Sequence, residues 1–378
     1  MKIVISGNYG AGNIGDELIL EGLLDITRKN FPESKITVLS GNPKETKEKH
    51  KVNSLEKVPA GFRSFFKSLL IEKCASRKAI KECDFFVMGG GGLFGGIEKK
   101  ANCIWGMQAL LPIIYKKPLI MVGQSIGRVD NSLIKFIIKN VFNRAKIISV
   151  RDVNSKKILK NIGVKGKIHV VPDNVFRLKN KSLKQRSKTI IVALRQMENL
   201  PGGFIKNISN FLKYLKKRDG WKIKFIDFQS GKHSDGIIHK KVIKNFYDPA
   251  SIEHISNIKN KDQLFNEFAE AEFCLCMRLH SVIVSMITGT PFLALNYAPK
   301  IAGVVQLARL QDYILPLEKA TAGRVNKKFQ KILKNKDKIS RDLDSYCKKA
   351  YNRHMEAEDG MMRNFNNSYS KFFQYQSY

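Results

Sequence analysis

Residues 273–300 read FCLCMRLHSVIVSMITGTPFLALNYAPK, and this stretch decides the fold class. The apolar run at 273–277 predicts a buried strand. Leu279, Val282, Ile283, Met286 and Ile287 then recur at the spacing of one buried helix face. Gly289 and Pro291 stop that helix, and a second apolar run at 292–295 predicts another strand before the turn at 296–300. A strand, a helix and a strand in so short a span make one unit of a parallel α/β sheet. Arg278 is the unusual residue, because a cation at a helix N-terminus opposes the macrodipole. A bound anion would justify it, met jointly by free backbone N–H groups and the guanidinium. A surface arginine lying beside a packed His280 is the plainer reading, and this stretch alone favours it.

The same alternation extends outward. Strands are predicted at 189–194 and 222–228, with helices near 204–217 and 262–271. His233 and His239, in the polar stretch after 228, are not spaced as a metal site and receive no role. Nearer the N-terminus, strands are predicted at 2–6, 36–39, 84–88, 118–122, 146–150 and 169–171, with helices near 17–29 and 154–162. Each of several strands ends in a polar or glycine-rich turn: residues 7–17, 89–96 with six glycines in eight positions, 123–127, Arg151-Asp152 and Pro172-Asp173-Asn174. In a doubly wound parallel sheet, ligands bind beyond the carboxyl ends of the strands. Arg151, Gln124, Gly90 and Gly91 all fall there.

Gly10, Gly12 and Gly15 satisfy the dinucleotide-binding pattern in a strand–loop–helix setting. Two details argue against NAD or FAD. Asp16 and Glu17 stand at the helix N-terminus, where they repel a pyrophosphate, and the second strand ends in Ser40-Gly41-Asn42 without an acid for a ribose hydroxyl. The loop is then a tight turn whose Asn13 and Asp16 either meet substrate hydroxyls or cap the helix.

At 378 residues and 43% apolar composition the chain is globular and long enough for two domains. Residues 177–188 hold six basic side chains and no acid, and read as the linker between them. The expected division is 1–176, linker 177–188, 189–322, and a charged helical tail 323–378 that packs back on the first domain or frays. A net charge of +34, spread along the chain, makes an anionic membrane surface a better partner than nucleic acid. Phe62, Phe65, Phe66, Leu69 and Leu70, flanked by basic residues, make 62–78 a candidate interfacial helix, though an ordinary helix docked on a sheet shares that pattern. Six cysteines without a CxxC pair read as reduced residues, and the N-terminus runs straight into a strand rather than a signal peptide. No run reaches the ~18 apolar residues of a membrane span. A cytoplasmic location is expected, peripheral on the inner face of the cytoplasmic membrane if the basic helix docks there.

Two Rossmann-like halves on one linker predict a GT-B-like cleft between two sheets, with Arg151 on one wall and Arg278 and His280 on the other. At this point the motifs resemble the polysaccharide pyruvyl transferase family. The similar pieces are GAGNIGDE at 10–17, the glycine run after Met88, GQSIG at 123–127, SVRD at 149–152, Asp173, MRLH at 277–280 and NYAPK at 296–300. The resemblance implies transfer of pyruvate from phosphoenolpyruvate to two hydroxyls of a sugar, giving a cyclic ketal and phosphate. The acceptor it implies is a cell-surface polysaccharide unit, in some members lipid-linked. By matching position, Arg151, Arg278, Leu279 and His280 line the phosphoenolpyruvate site and Lys300 stands at its edge.

The chemistry of these residue types agrees. Two guanidinium forks suit a phosphate and a carboxylate. His280 is an acid for carbon 3, Lys300 meets the leaving phosphate, and Asp16 or Asp173 takes a proton from an acceptor hydroxyl. No metal or cofactor is required. The chain departs from the family at Ala298, where Asp is usual, and at Arg128, where Pro is common. Two rival readings use the same residues: a GT-B glycosyltransferase consuming a nucleotide sugar, and a non-catalytic polyanion-binding protein.

Overall fold

The computed structural model of the chain describes residues 1–58, 74–96, 99–178 and 185–374, with side chains described as far as residue 360. The expected interfacial helix at 62–78 therefore lies outside the described residues except for its last five positions, and so do 179–184 of the linker. The chain divides into two compact units.

The first unit comprises Met1–Ala11, Asp16–Arg177 and the chain from Ala350 on. Its strands are β1 Lys2–Ser6, β2 Lys35–Ser40, β3 Asn53–Glu56, β4 Phe85–Met88, β5 Gly91–Phe94, β6 Leu119–Ile126, β7 Ile147–Val150 and β8 Ile168–Val170. They form one sheet in the order β3-β2-β1-β4-β6-β7-β8, with β5 paired to β6 and every pairing parallel. Ile3 and Ile5 of β1 face a core shared with Leu20, Leu23 and Leu24, whereas Val4 faces a second core with Trp105, Ile138 and Phe142. A sheet covered on both faces explains why its strands read as unbroken apolar runs.

One expectation changes here. Residues 123–127 were expected as a loop, yet β6 continues through them to Ile126, and the glycine run supplies β5 beside it. Gly123 makes this possible. Its φ of +60° lets the strand shift register between Met121 and Gln124 without breaking.

The second unit comprises Gly12–Gly15 and Leu178–Lys349. Strands β9 Ser187–Ala193, β10 Lys222–Ile226, β11 Glu253–Ile255, β12 Ala271–Cys276, β13 Phe292–Asn296 and β14 Ile314–Pro316 lie in the order β11-β10-β9-β12-β13-β14, all parallel. This is the dinucleotide-fold order, reversing direction between β9 and β12. Ligands of such sheets sit at that reversal.

Two boundaries differ from the expected ones. Gly12–Gly15, expected in the first domain, belongs to the second unit, because backbone hydrogen bonds tie it there: Ile14 N–H to Phe228 O and Ser230 N–H to Gly12 O, both 2.9 Å. The tail divides as well. Helix Ala322–Lys334 packs Phe329 against Phe211, Trp221 and Phe273 in the second unit. Helix Lys336–Gln374 begins there and from Ala350 belongs to the first, where Glu358 accepts from Arg177, Lys29 and Asn30. Among the described residues no helix is long and apolar enough to cross a membrane.

Candidate active site

In the second unit the sequence-predicted residues gather at the strand ends beside the reversal. Arg278 follows β12 and caps helix Leu279–Ile287 from an extended backbone, φ −87° and ψ 138°. Its Nε lies 3.0 Å from Oδ2 and 3.2 Å from Oδ1 of Asp235, and Nη2 donates to Oδ1 as well. Asp235 is fully buried and also accepts the backbone N–H groups of Phe228, Gln229 and Gln196. The anion that justifies a cation at this helix start is therefore a carboxylate of the protein itself. It fixes one edge of the guanidinium and leaves Nη1 without a hydrogen-bond partner among the described residues. Leu279, expected to line the site, has a buried side chain.

His280 occupies the first turn of the same helix. A Cβ on Gly15 would lie 1.9 Å from its Nδ1, so the imidazole rests on the bare Gly15 backbone. This contact joins the two most specific motifs of the sequence, GNIGDE and RLH. Asn13, expected to meet substrate hydroxyls, uses its Oδ1 to accept the Gly15 N–H at 2.9 Å and so shapes the same turn.

Arg195 and Tyr297, to which the sequence assigned no role, complete this edge beside the expected Lys300. Arg195, two residues beyond β9, donates through Nη1 to the Tyr297 hydroxyl and places its guanidinium carbon 4.8 Å from the ring centroid. Lys300, exposed in the first turn of helix Pro299–Leu307, holds Nζ 5.8 Å from the same centroid. Burial works against a phenolate here, and the charges of Lys300, Arg195 and Arg278 outweigh it, leaving the Tyr297 phenol below its ordinary value.

Asp227, His239 and His254 bring ligand-type atoms within 4.8 Å of one another. Their hydrogen bonds argue against a metal. Leu194 N–H donates to His239 Nε2 at 2.9 Å, so that nitrogen keeps its lone pair and Nδ1 carries the proton, which goes to Asp227 Oδ1 at 2.6 Å. A metal on Nδ1 would force a proton onto Nε2 against the Leu194 N–H. His254 Nε2 meets the same carboxylate oxygen at 2.8 Å. Burial opposes charge on Asp227, but the bonds from His239 and His254 prevail and hold its carboxyl at about 2. The group buttresses the turn that carries Asp235.

In the first unit, Arg151 is buried and donates through Nη1 to Asp173 Oδ2 at 2.9 Å, while Asp173 Oδ1 accepts the Val175 N–H. With both oxygens engaged, Asp173 holds Arg151 rather than standing ready for a substrate proton. Gln124 is buried too, its Nε2 donating to the carbonyls of Met88 and Gly89. It braces the end of β4. Gly90 serves the same close packing, since a Cβ there would lie 2.9 Å from Gly123 O. Asp16 remains near open backbone: Asn8 donates to its Oδ2 at 2.8 Å, and a Cβ on Gly91 would be 3.6 Å from its Oδ1.

The fold defines the class first. It is GT-B-like, as in several solved structures. UDP-N-acetylglucosamine 2-epimerase of Neisseria meningitidis bound to UDP-GlcNAc has a TM-score of 0.65 at 10% identity, covering 96% of this chain and 100% of that one. Anabaena Alr3699/HepE in complex with UDP and glucose gives 0.60 at 12% identity, covering 95% and 100%. The family follows from sequence. The polysaccharide pyruvyl transferase profile matches residues 13–299, and the chain belongs to that family. The amylovoran biosynthesis protein AmsJ of Erwinia amylovora is 23% identical over 403 residues, 91% of this chain and 94% of AmsJ. The chain is thus a transferase of polysaccharide biosynthesis.

Proposed function

We propose that the chain transfers the pyruvyl group of phosphoenolpyruvate to two hydroxyls of one sugar, in a cell-surface polysaccharide or its lipid-linked precursor, forming a cyclic ketal and releasing phosphate. The observation that carries this reading is the preset guanidinium. Asp235 locks Arg278 by one edge, with Nη1 free of hydrogen bonds among the described residues, at the mouth of a helix whose first turn bears His280. A fixed fork at a helix N-terminus suits a ligand that carries a phosphate and a carboxylate together.

In this mechanism His280 gives a proton to carbon 3, which makes carbon 2 electrophilic, and then accepts the proton of the first attacking hydroxyl. Lys300 neutralises the phosphate as it departs. Arg151 retains the donor-binding part that its family motif implies, set by Asp173, and Asp16 beside Gly91 serves the acceptor hydroxyls.

The test is phosphate release from phosphoenolpyruvate in the presence and absence of a panel of methyl hexopyranosides, with the mass gain of one pyruvyl group read on the acceptor. Since two similar structures hold UDP or a UDP-sugar, a nucleotide-sugar donor is the control. Acceptor-dependent phosphate release supports the reading. Consumption of the nucleotide sugar with no use of phosphoenolpyruvate would replace it with glycosyl transfer. Arg278→Ala and His280→Ala are expected to abolish turnover while leaving the unfolding transition in place.

A further inference from the structure

Ketal formation needs two different proton transfers. The first hydroxyl adds as carbon 3 gains a proton. Afterwards the bond from carbon 2 to the phosphate oxygen must break and the second hydroxyl must add. His280 covers the first transfer. The second pair of events needs an acid for the departing phosphate and then a base for the second hydroxyl. One group that first donates and then recovers a proton satisfies both.

We propose that Tyr297 is that group and that Arg195 positions it. This rests on the phosphoenolpyruvate reading above. Tyr297 follows β13 and Arg195 follows β9, and both strands neighbour β12, which ends at Cys276, two residues before Arg278. The three side chains therefore share the edge where the strand order reverses. Arg195 Nη1 donates to the phenol oxygen, so that oxygen is the acceptor of the bond and its own proton is left to go elsewhere. The guanidinium also lies over the ring at 4.8 Å, which fixes the ring's angle as well as its oxygen. Lys300, 5.8 Å from the ring centroid, brings the phosphate-neutralising charge to the same spot.

Two further atoms mark the edge as built for a ligand. Gln196 Oε1, next to Arg195, and Asn296 Oδ1, next to Tyr297, are buried and have no protein hydrogen-bond partner among the described residues. Buried amide oxygens normally accept a hydrogen bond, and the hydroxyl groups of a sugar acceptor supply the donors.

The step balances. The phenol proton passes to the phosphate oxygen as the carbon 2–oxygen bond breaks, releasing hydrogen phosphate and leaving a phenolate beside Arg195 and Lys300. The second hydroxyl attacks carbon 2, and its proton restores the phenol. The cations around Tyr297 hold its phenol below the ordinary value against burial, which lowers the cost of the transient phenolate.

The test is Tyr297→Phe in the full chain, with phosphoenolpyruvate and the methyl hexopyranoside panel in deuterium oxide. Phosphate release and deuterium at carbon 3 of recovered phosphoenolpyruvate are read together. The variant is expected to release phosphate at least 100-fold more slowly, in line with the usual ~10²–10⁴ of general acid–base catalysis. It should still wash deuterium into phosphoenolpyruvate, because protonation and first addition remain reversible. Arg195→Ala should show the same split, and Arg195→Lys should recover part of the release rate.

Phosphate release within threefold of wild type in Tyr297→Phe overturns the proposal. So does loss of exchange and release together while phosphoenolpyruvate still binds, which would place Tyr297 in the first step. If the wild-type chain shows no acceptor-dependent release at all, the reaction assignment itself fails and takes this inference with it. A melting transition for each variant excludes misfolding as the cause.

Discussion

Asp235→Asn is the sharpest single perturbation of the site, since it changes one oxygen into an amide and alters no volume. The carboxylate is fully buried, and each oxygen already serves several donors. Oδ2 accepts from Arg278 Nε, Phe228 N–H and Gln229 N–H, whereas Oδ1 accepts from Arg278 Nη2 and Gln196 N–H. Whichever way the new amide turns, its NH2 group confronts at least two of these donors. At about 1–3 kcal/mol for each buried group left unsatisfied, the fold should lose about 2–6 kcal/mol. That is a large share of the ~5–15 kcal/mol typical of a domain, so the protein should fold but unfold at lower urea. Activity should fall further than stability. Arg278 loses its charged anchor, and a displacement of ~1 Å at a reacting group costs about 10²-fold. Urea unfolding monitored by tryptophan fluorescence gives the first quantity, and kcat/KM for phosphoenolpyruvate gives the second. A stability change under about 1 kcal/mol together with kcat/KM within threefold of wild type would refute the anchoring role.

Gly15→Ala should lower kcat/KM at least tenfold, because its methyl would take the space of the His280 ring; steady-state kinetics check this. Glu358→Ala should reduce stability by about 3 kcal/mol in a urea titration, since Arg177, with only 2% of its side chain exposed, keeps Asp25 but loses its buried partner. Stability should also decline on acidification. His239 and His354 are both held below the ordinary histidine value by burial, so the unfolded chain binds protons that the fold rejects. Their contribution is complete above pH ~6.5 and is lost as the pH falls through the folded values, so the urea midpoint at pH 5 should lie below that at pH 7.5. Asp227 adds a second loss at lower pH, between its ordinary value and about 2, which Asp227→Asn should remove from the pH profile.

The sheets were legible because parallel strands buried on both faces leave unbroken apolar runs, and because residues at strand ends are the polar exceptions to them. Arg151, Arg278 and His280 were found in that way. Asp235 was not, since a carboxylate that anchors an arginine 43 residues away has no local signature; Ser234-Asp235-Gly236 looks like any surface turn. Arg195 escaped for a related reason: nothing in ALRQ distinguishes a side chain that stacks on a tyrosine 102 residues later. Gln124 and Gly90 were legible as special positions but not in their function, because a glycine required by a ligand and one required by a neighbouring carbonyl look the same in sequence. The unit to which Gly12–Gly15 belongs depended on hydrogen bonds to Phe228 and Ser230, pairings that no local pattern announces.

Arg177 and Glu358 have a consequence for the order of events during synthesis. The carboxylate that neutralises Arg177 is encoded 181 residues after it. At the ~5–20 residues per second of translation, that partner arrives about 10–40 s later. In the interval Arg177 has Asp25 alone, and the Asp173 carbonyl lacks the His354 Nε2 donor that closes over it. The first unit is therefore completed only after the second, whose chain runs to Lys349. A ribosome that stalls before residue 350 holds Arg177 with Asp25 but with Glu358 still unmade.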